Sequence, residues 1–397
     1  MGHGFSGERL GRLTRSMEGH VARGQVAGVL TLVERHGEIA HCEAAGWQDR
    51  EAKIPLRRDT LFRIASMTKP IVSVAALMLV EEGLIRLGDP VDKWLPELAR
   101  PMVLDDPAGP LDRVHAAPRP ITLRDLLLHR SGIAYPLTAE GPFAAALSAF
   151  NERVLPQNLP ADEWLRRMGT LPLVYDPGAR WHYGFSTDVL GILLGRVAGM
   201  SFPDLLRTRI FEPLGMEDTY FWVPKDRQDR LGPAYTPDPA TGKLIVVDHP
   251  ATSRWVDPSS FPSGGAGLVS TIDDYLKFAR VILGRGRAGG VRLLSRKMFA
   301  LMTTDHLTPE EHRTPFLGME FWADQGFGLG LSMGTDITRH EGLTSPGRLG
   351  WPGAYGTWWV ADPAEDMIAL MMVQLYFGQG STVRADCETM IYQAIED

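Results

Sequence analysis

The sequence predicts an α+β fold, in which one largely antiparallel sheet built from both chain ends is flanked by helices. Strand-like segments lie near both termini, whereas the central part of the chain is mainly helical. The length of 397 residues also exceeds the about 250–300 residues at which single hydrophobic cores usually stop growing. We therefore expect residues 1–84 and 264–397 to form an α/β sheet domain, with residues 85–263 inserted as a mainly helical domain.

The N-terminal part of the chain supplies the first strands and a buried helix. Apolar residues that recur every three to four positions predict a helix over residues 6–22. Two apolar runs, 27–34 and 38–46, flank a short glycine-containing turn and predict a β-hairpin. Residues 66–83 are dense in small and apolar side chains, which predicts a helix buried on most sides and ended by Gly83.

The central part of the chain alternates between loops and helices. Residues 96–120 are rich in Pro, Asp and Arg and are typical of a surface loop. A capping-box pattern at Thr122 predicts a helix to about His129. Residues 140–220 are predicted to be mostly helical with proline breaks, and residues 223–262 to be rich in loops.

The C-terminal part returns to strands after two helices. The periodicity predicts helices from Ser270 to Leu283 and over 296–303, strands over 326–333, 354–361 and 367–374, and a final helix over about 382–395. The last two strands, joined by a turn, would pair with the N-terminal hairpin in one sheet.

Composition excludes several classes of function. The formal net charge of −7 argues against nucleic acid or an anionic membrane as the main partner. No run approaches the about 20 apolar residues of a membrane span, and the N-terminus lacks the apolar segment of a signal peptide. We therefore expect a cytoplasmic protein that acts on a small molecule without a metal or other cofactor. Its oligomeric state stays open.

The two cysteines, Cys42 and Cys387, form neither a disulfide framework nor a metal-binding spacing. A single bridge between them stays open.

Ser66 and Lys69 form the first candidate catalytic pair. Side chains three residues apart share one face of a helix, so the hydroxyl and the amine can meet. A serine hydroxyl needs a base beside it, and a lysine serves where burial disfavours its ammonium form. The N–H of Ser66 at a helix start can also stabilise a developing oxyanion.

The same spacing has a purely structural interpretation, in which Ser66 caps the helix and Lys69 is exposed. Two features favour the catalytic interpretation. Lys69 lies between apolar segments rather than on a charged face, and Pro70 constrains the first helical turn.

Two further segments carry candidate site groups. Tyr183 precedes a helix beginning near Ser186, and its hydroxyl can relay a proton. The structural alternative is that Tyr183 packs against the sheet with its hydroxyl hydrogen-bonded. Residues 350–361 contain glycines within a strand-like run, which marks close approach of a ligand or only a bulged strand. There the Ala354 N–H is a candidate second oxyanion donor, because Pro352 has no N–H.

The S-x-x-K pair, the later Tyr motif and the C-terminal Gly-rich segment occur in an order that resembles the serine β-lactamase and penicillin-binding-protein superfamily. Segments 126–133 (LLLHRSGI) and 263–283 are also similar to its class C β-lactamase-like carboxylesterases, the family VIII esterases. The resemblance spans nearly the whole chain. It implies a β-lactamase-like fold, with Ser66 as nucleophile, Lys69 as base and Tyr183 as proton relay.

Two positions depart from the β-lactamase pattern. Phe185 stands where that pattern has Asn, and Trp351-Pro352-Gly353 replaces Lys-Thr-Gly. The missing amide and ammonium would contact a β-lactam's side chain and carboxylate, so the resemblance favours uncharged esters. Phe185, Trp351, Gly353 and Tyr135 are the candidate substrate-binding residues.

Gly330-Leu331-Ser332-Met333-Gly334 matches the G-x-S-x-G nucleophile elbow, which must turn from a strand into a helix. The run around Ser332 alternates like a strand, and no apolar helix follows it. We therefore expect Ser332 to be structural.

The sequence thus predicts a serine hydrolase that forms an acyl-enzyme on Ser66 with short-chain carboxylic esters. An acyltransferase with the same residues and a weak β-lactamase are close alternatives. A catalytically silent binding protein on the same scaffold is an alternative of a different class.

Overall fold

The structure is a computed structural model that describes residues 4–154, 159–378 and 380–397. It confirms the predicted α+β class, with one large antiparallel sheet and flanking helices. In chain order the strands are β1 (Gly28–Arg35), β2 (Glu38–Asp49), β3 (Ile54–Pro55), β4 (Phe62–Arg63), β5 (Met102–Leu104), β6 (Val114–Ala116), β7 (Ala234–Pro237), β8 (Leu244–Asp248), β9 (Val269–Ser270), β10 (Arg287–Ala288), β11 (Val291–Arg292), β12 (Gln325–Phe327), β13 (Ser332–Gly334), β14 (Leu349–Gly350), β15 (Trp358–Asp362) and β16 (Met367–Val373).

The helices cover both faces of the sheet and fill the middle of the chain. They are α1 (Gly7–Ala22), α2 (Thr68–Glu81), α3 (Leu123–Leu127), α4 (Gly141–Val154), α5 (Ala161–Met168), α6 (Ser186–Ala198), α7 (Phe202–Leu206), α8 (Glu212–Leu214), α9 (Ile272–Leu283), α10 (Arg296–Met302) and α11 (Val383–Tyr392). A π-helical segment, Arg207–Phe211, joins α7 to α8, and a 3₁₀ turn, Ala65–Met67, precedes α2.

The large sheet is assembled from the two chain ends, as predicted. Its strand order is β12-β13-β14-β15-β16-β1-β2-β3, and every neighbouring pair is antiparallel. Because side chains alternate between the faces of a strand, Val29 and Val33 pack with α1 and α11, whereas Leu30 and Leu32 pack with α2 and α9. Strand β1 is therefore buried along its whole length between two cores.

The predicted strand over 326–333 is wrong in one respect, because the segment forms a hairpin of β12 and β13. Gly330 adopts a φ of +94°, which L side chains rarely adopt, and a Cβ there would lie 1.9 Å from Ser73 Oγ. The chain therefore turns at this glycine instead of continuing straight.

The predicted strand over 354–361 is also shorter than expected, since β15 begins only at Trp358. The Gly356 N–H donates to the Gly353 carbonyl at 2.9 Å, and Gly356 has a φ of +78°. These contacts form a turn before the strand.

The segments predicted as loops contain short hairpins. Strands β5 and β6 pair within 96–120, and β7 and β8 pair within 223–262; outside these two segments, β10 pairs with β11. Helices α4 to α8 confirm most of the helical prediction for 140–220, but residues 169–185 are not helical. Residues 155–158 of that prediction lie outside the described residues.

The terminal helices and helix caps agree with the sequence. Helix α1 begins after Ser6, whose side chain accepts from the Arg9 N–H, and Gly83 ends the α2 region with a φ of +74°. Thr122 forms the predicted capping box with Asp125. The division into a sheet domain and an inserted helical domain stays a prediction.

Two further expectations concern single features. Cys42 and Cys387 are both free thiols, so no bridge joins them. Within the described ranges no single helix is long and apolar enough to cross a membrane. The pair Ser186–Ala198 and Phe202–Leu214, bent by 81°, meets that length and composition only when its two helices are taken together.

Candidate active site

Ser66 lies at the junction between β4 and α2. It belongs to the 3₁₀ turn Ala65–Met67, so the predicted helix start at Ser66 is a tighter turn, and the α-helix itself begins at Thr68. Ala65, directly before it, has a φ of +44°. A positive φ is unfavourable for a residue with a Cβ, and such conformations cluster at functional sites. The Ser66 side chain stays partly accessible at this bend.

Lys69 is buried, with 1% of its surface exposed, and its amine contacts three oxygen atoms. Its Nζ lies 3.1 Å from Ser66 Oγ, 2.8 Å from the Gly265 carbonyl oxygen and 3.5 Å from the Tyr135 hydroxyl. The structural alternative, with Lys69 exposed, is therefore wrong. The amine is held next to the hydroxyl of Ser66, as the i, i+3 spacing predicts.

Tyr183, which lies 117 positions further along the chain, also contacts Ser66. Its hydroxyl donates to Ser66 Oγ at 2.8 Å, and the Trp351 indole N–H donates to the Tyr183 oxygen at 3.2 Å. The Lys69 amine lies 4.6 Å from the Tyr183 ring centroid. The structure thus brings the three predicted catalytic residues together, with Trp351 as an additional contact of Tyr183.

The Gly-rich loop before β15 packs against the turn that carries Ser66. A Cβ on Gly353 would lie 2.4 Å from the Ile64 carbonyl oxygen, and Thr357 donates to the same oxygen at 3.3 Å. Gly353 is therefore explained by close packing. The Ala354 N–H donates to no other atom among the residues that the structure describes, while its carbonyl accepts from Phe377. An oxyanion site of the Ser66 and Ala354 N–H groups stays a prediction.

The two remaining pocket candidates, Tyr135 and Phe185, pack against each other next to the catalytic residues. Tyr135 contacts Lys69, and its ring packs edge-on against Tyr183 at 5.4 Å and against Phe185 at 4.3 Å. Phe185 is buried, and its ring packs edge-on against Trp164 with 5.7 Å between the ring centroids. A substrate-binding role for either stays a prediction, and these contacts place both in the packing around the site.

The sequence analysis did not single out Asp188, which contacts Tyr135, or Gly265, which contacts Lys69. The Tyr135 hydroxyl donates to Asp188 Oδ2 at 3.2 Å, and the Gly265 N–H donates to Asp188 Oδ1 at 3.2 Å. Asp188 lies in the first turn of α6, where an acidic residue has an ordinary explanation as a helix-start residue. Nothing local in the sequence therefore distinguishes it.

His129 is a second buried group that the sequence did not single out. Its ring lies 4.7 Å from that of Tyr183, and its backbone has a φ of +51°. Burial, followed by the charge of Lys69, holds the pKa of His129 well below its usual range. The imidazole is therefore neutral and packs as an aromatic wall beside Tyr183.

Ser332 lies in β13 of the large sheet, away from any strand-to-helix turn. Its hydroxyl donates to the Gly350 carbonyl at 2.9 Å and is buried. This agrees with the structural role expected for it. Among the described residues, no group of three or more His, Cys, Asp and Glu side chains is placed to hold a metal ion.

Comparison with known proteins identifies the family. The family model described as Beta-lactamase matches residues 13–386. The chain belongs to the beta-lactamase family. Protein Rv1367c of Mycobacterium tuberculosis is 45% identical over 354 residues, which cover 88% of this chain and 86% of that protein.

Relatives with described activities extend this assignment within the beta-lactamase family. Esterase EstB of Burkholderia gladioli is 33% identical over 362 residues, covering 88% of this chain and 86% of that protein. The solved structure of "EstCE1, a hydrolase with promiscuous acyltransferase activity" superposes with a TM-score of 0.81 at 27% identity, covering 97% of this chain and 99% of that chain. The chain is thus a member of a β-lactamase-fold family of serine hydrolases, esterases and acyltransferases.

Proposed function

We propose that this protein is a serine carboxylesterase that hydrolyses short-chain carboxylic esters through an acyl-enzyme on Ser66. One observation carries the proposal. Ser66 Oγ lies within hydrogen-bonding distance of both a buried amine, Lys69 at 3.1 Å, and a phenol, Tyr183 at 2.8 Å. This arrangement supplies a nucleophile, a base and a proton relay at one oxygen atom.

Acylation follows from these contacts. Lys69 takes the Ser66 proton as Oγ attacks the ester carbonyl carbon, and the carbonyl electron pair moves onto oxygen. The N–H groups of Ser66 and Ala354 stabilise this oxyanion. When the tetrahedral intermediate collapses, the bond to the alcohol oxygen breaks, and the proton reaches that oxygen through Tyr183. The acyl group then remains on Ser66 as an ester.

Deacylation repeats the sequence with water as the nucleophile. Water adds to the acyl carbon, its proton passes to the Lys69 and Tyr183 pair, and Ser66 leaves with a proton restored. An alcohol in place of water would give transfer instead of hydrolysis, with the same residues. The description of EstCE1 as a hydrolase with promiscuous acyltransferase activity supports this as the second candidate function.

The side chains around Ser66 favour uncharged esters over β-lactams. Trp351 is buried and donates its N–H to Tyr183. Because its indole is uncharged, it offers no cation to a β-lactam carboxylate. Phe185 is buried against Tyr135 and offers no amide to a β-lactam side chain. The name of Esterase EstB supports an ester substrate.

The test compares kcat/KM for p-nitrophenyl butyrate with that for nitrocefin and penicillin G in one preparation, with Ser66→Ala as the control. The proposal expects turnover of the ester, little turnover of either β-lactam, and none of the ester by Ser66→Ala. Adding a small alcohol and measuring the ester product separates the transferase from the hydrolase.

Comparable kcat/KM values for the β-lactams would contradict the esterase assignment and favour a β-lactamase. No turnover of any of the three compounds, and no labelling by a serine-reactive phosphonate, would support a silent binding protein.

A further inference from the structure

Asp188 is a buried carboxylate that accepts three hydrogen bonds. Only 3% of the residue is exposed. The Ser263 hydroxyl and the Gly265 N–H both donate to its Oδ1, and the Tyr135 hydroxyl donates to its Oδ2 at 3.2 Å. Because these donors come from two distant segments, Asp188 fixes both segments to the first turn of α6.

Two of these three partners also contact the catalytic amine. The Gly265 carbonyl oxygen lies 2.8 Å from Lys69 Nζ, and the Tyr135 oxygen lies 3.5 Å from it. Asp188 therefore holds, through the N–H of Gly265 and the O–H of Tyr135, the same two residues whose oxygen atoms accept from Lys69.

This geometry affects the direction of the lone pair of Lys69, which is the electron pair that a base uses to take a proton. A neutral amine has two N–H bonds and one lone pair in a tetrahedral arrangement. When the two N–H groups of Lys69 point to Gly265 and Tyr135, the lone pair points to the remaining neighbour, Ser66 Oγ at 3.1 Å. The two acceptors thus determine whether the lone pair or an N–H faces the nucleophile.

Tyr135 can accept from Lys69 only while its own proton points elsewhere. Burial, followed by the negative charge of Asp188, raises the pKa of Tyr135 well above its usual range. Tyr135 therefore keeps its proton and donates it to Asp188, which leaves its oxygen lone pairs for Lys69.

Gly265 supports the same arrangement independently. A Cβ at this position would lie 2.4 Å from Asp188 Oδ2 and 2.7 Å from the Tyr135 oxygen. Only glycine lets the backbone approach both groups closely enough for its N–H to reach Asp188 and its carbonyl to reach Lys69.

We propose that Asp188 is a positioning residue that, through Tyr135 and Gly265, orients the Lys69 lone pair toward Ser66. The proposal rests on the proposed ester hydrolysis. Asp188 does not touch the reacting atoms in this scheme; it orders the two acceptors that do touch the base.

The test uses Asp188→Asn, with Asp362→Asn as the matched control. Asp362 is also fully buried, and it also accepts from a tyrosine hydroxyl, Tyr392, and from backbone N–H groups of Ala364 and Glu365. An amide in place of either carboxylate replaces one accepting oxygen with an N–H2 donor, so the tyrosine hydroxyl or the backbone N–H on that side loses its acceptor. Both changes should therefore lower the melting temperature.

Only Asp188→Asn should change the chemistry. We expect kcat for p-nitrophenyl butyrate to fall about 10- to 100-fold with a KM near that of the wild type, because the base is misplaced while substrate binding is not. The pH dependence of kcat/KM should also shift in Asp188→Asn and not in Asp362→Asn.

Equal kcat values and pH profiles for Asp188→Asn and the wild type would overturn the proposal. If Asp188→Asn does not fold, Tyr135→Phe decides, since it removes one acceptor from Lys69. A fall in kcat with an altered pH profile supports the proposal, and unchanged kinetics overturns it. A wild-type protein without ester turnover would instead refute the proposed function.

Discussion

The indole nitrogen of Trp351 donates a hydrogen bond to the hydroxyl oxygen of Tyr183 at 3.2 Å, although 168 residues separate them in the chain. Trp351 is 3% exposed, so this contact lies in a dry environment. Where the β-lactamase pattern places a lysine, this protein has a neutral donor. Trp351 therefore orients the Tyr183 proton toward Ser66 without adding a positive charge.

Removing this donor should slow the reaction. Trp351→Phe keeps an aromatic ring but leaves the Tyr183 oxygen without its partner, and we expect kcat for p-nitrophenyl butyrate to fall about tenfold. Trp322→Phe is the control, because Trp322 stacks on Trp351 at 6.4 Å in the same cluster and does not contact Tyr183 through a hydrogen bond. Equal losses in both variants would show that packing, not the hydrogen bond, carries the effect.

Replacing the base with a side chain that keeps its proton should nearly abolish activity. Lys69→Arg keeps hydrogen-bond donors at this position, but a guanidinium cannot take the Ser66 proton at any working pH. We expect kcat/KM for p-nitrophenyl butyrate to fall to near background. Lys277→Arg is the control and should stay active. Like Lys69, Lys277 donates to a backbone carbonyl, but its second partner is a carboxylate and not the hydroxyl of Ser66. An active Lys69→Arg would rule out Lys69 as the base.

The unfolding free energy should decrease in mild acid because of His41. Burial lowers the pKa of His41 from 6.5 to about 4 in the folded protein. Between these values the unfolded chain binds a proton that the native state does not, so stability present above pH 6.5 is lost as the pH falls toward 4. The loss from this residue should be about 2 kcal/mol at pH 5.

His41→Gln should remove this part of the pH dependence, since glutamine does not titrate and can still contact Thr31, which lies 2.8 Å from the His41 ring nitrogen. Urea unfolding of the wild type and the variant from pH 7 to pH 5 measures the difference. Parallel curves for the two proteins would contradict the burial-driven shift.

The parts of the fold that sequence could predict are those with local signals. The helix that begins just after Ser66, the N-terminal hairpin and the capping box at Thr122 each depend on residues a few positions apart. The two-residue strands β4 and β9 have no such period. They exist because two distant segments pair, as Phe62 does with Ser270.

The contacts of the candidate site also divide into local ones, which the sequence predicts, and distant ones, which it does not. Ser66 and Lys69 are neighbours on one helical turn, so their contact follows from their spacing. Asp188 meets Gly265 across 77 positions, and its place in a first helical turn already explains an acidic residue. The sequence predicts a strand through Gly330, because no local signal shows the positive φ or the close approach of Ser73 that favour glycine there.

The central claim is that Ser66 carries the acyl group. Its most direct test treats the wild type, Ser66→Ala and Ser332→Ala with p-nitrophenyl butyrate, quenches the mixtures in acid and maps the acylated peptide by mass spectrometry. The account predicts acylation at Ser66 in the wild type and in Ser332→Ala, and none in Ser66→Ala, with all three proteins folded. Acylation at Ser332, or turnover of the ester by Ser66→Ala, would contradict it.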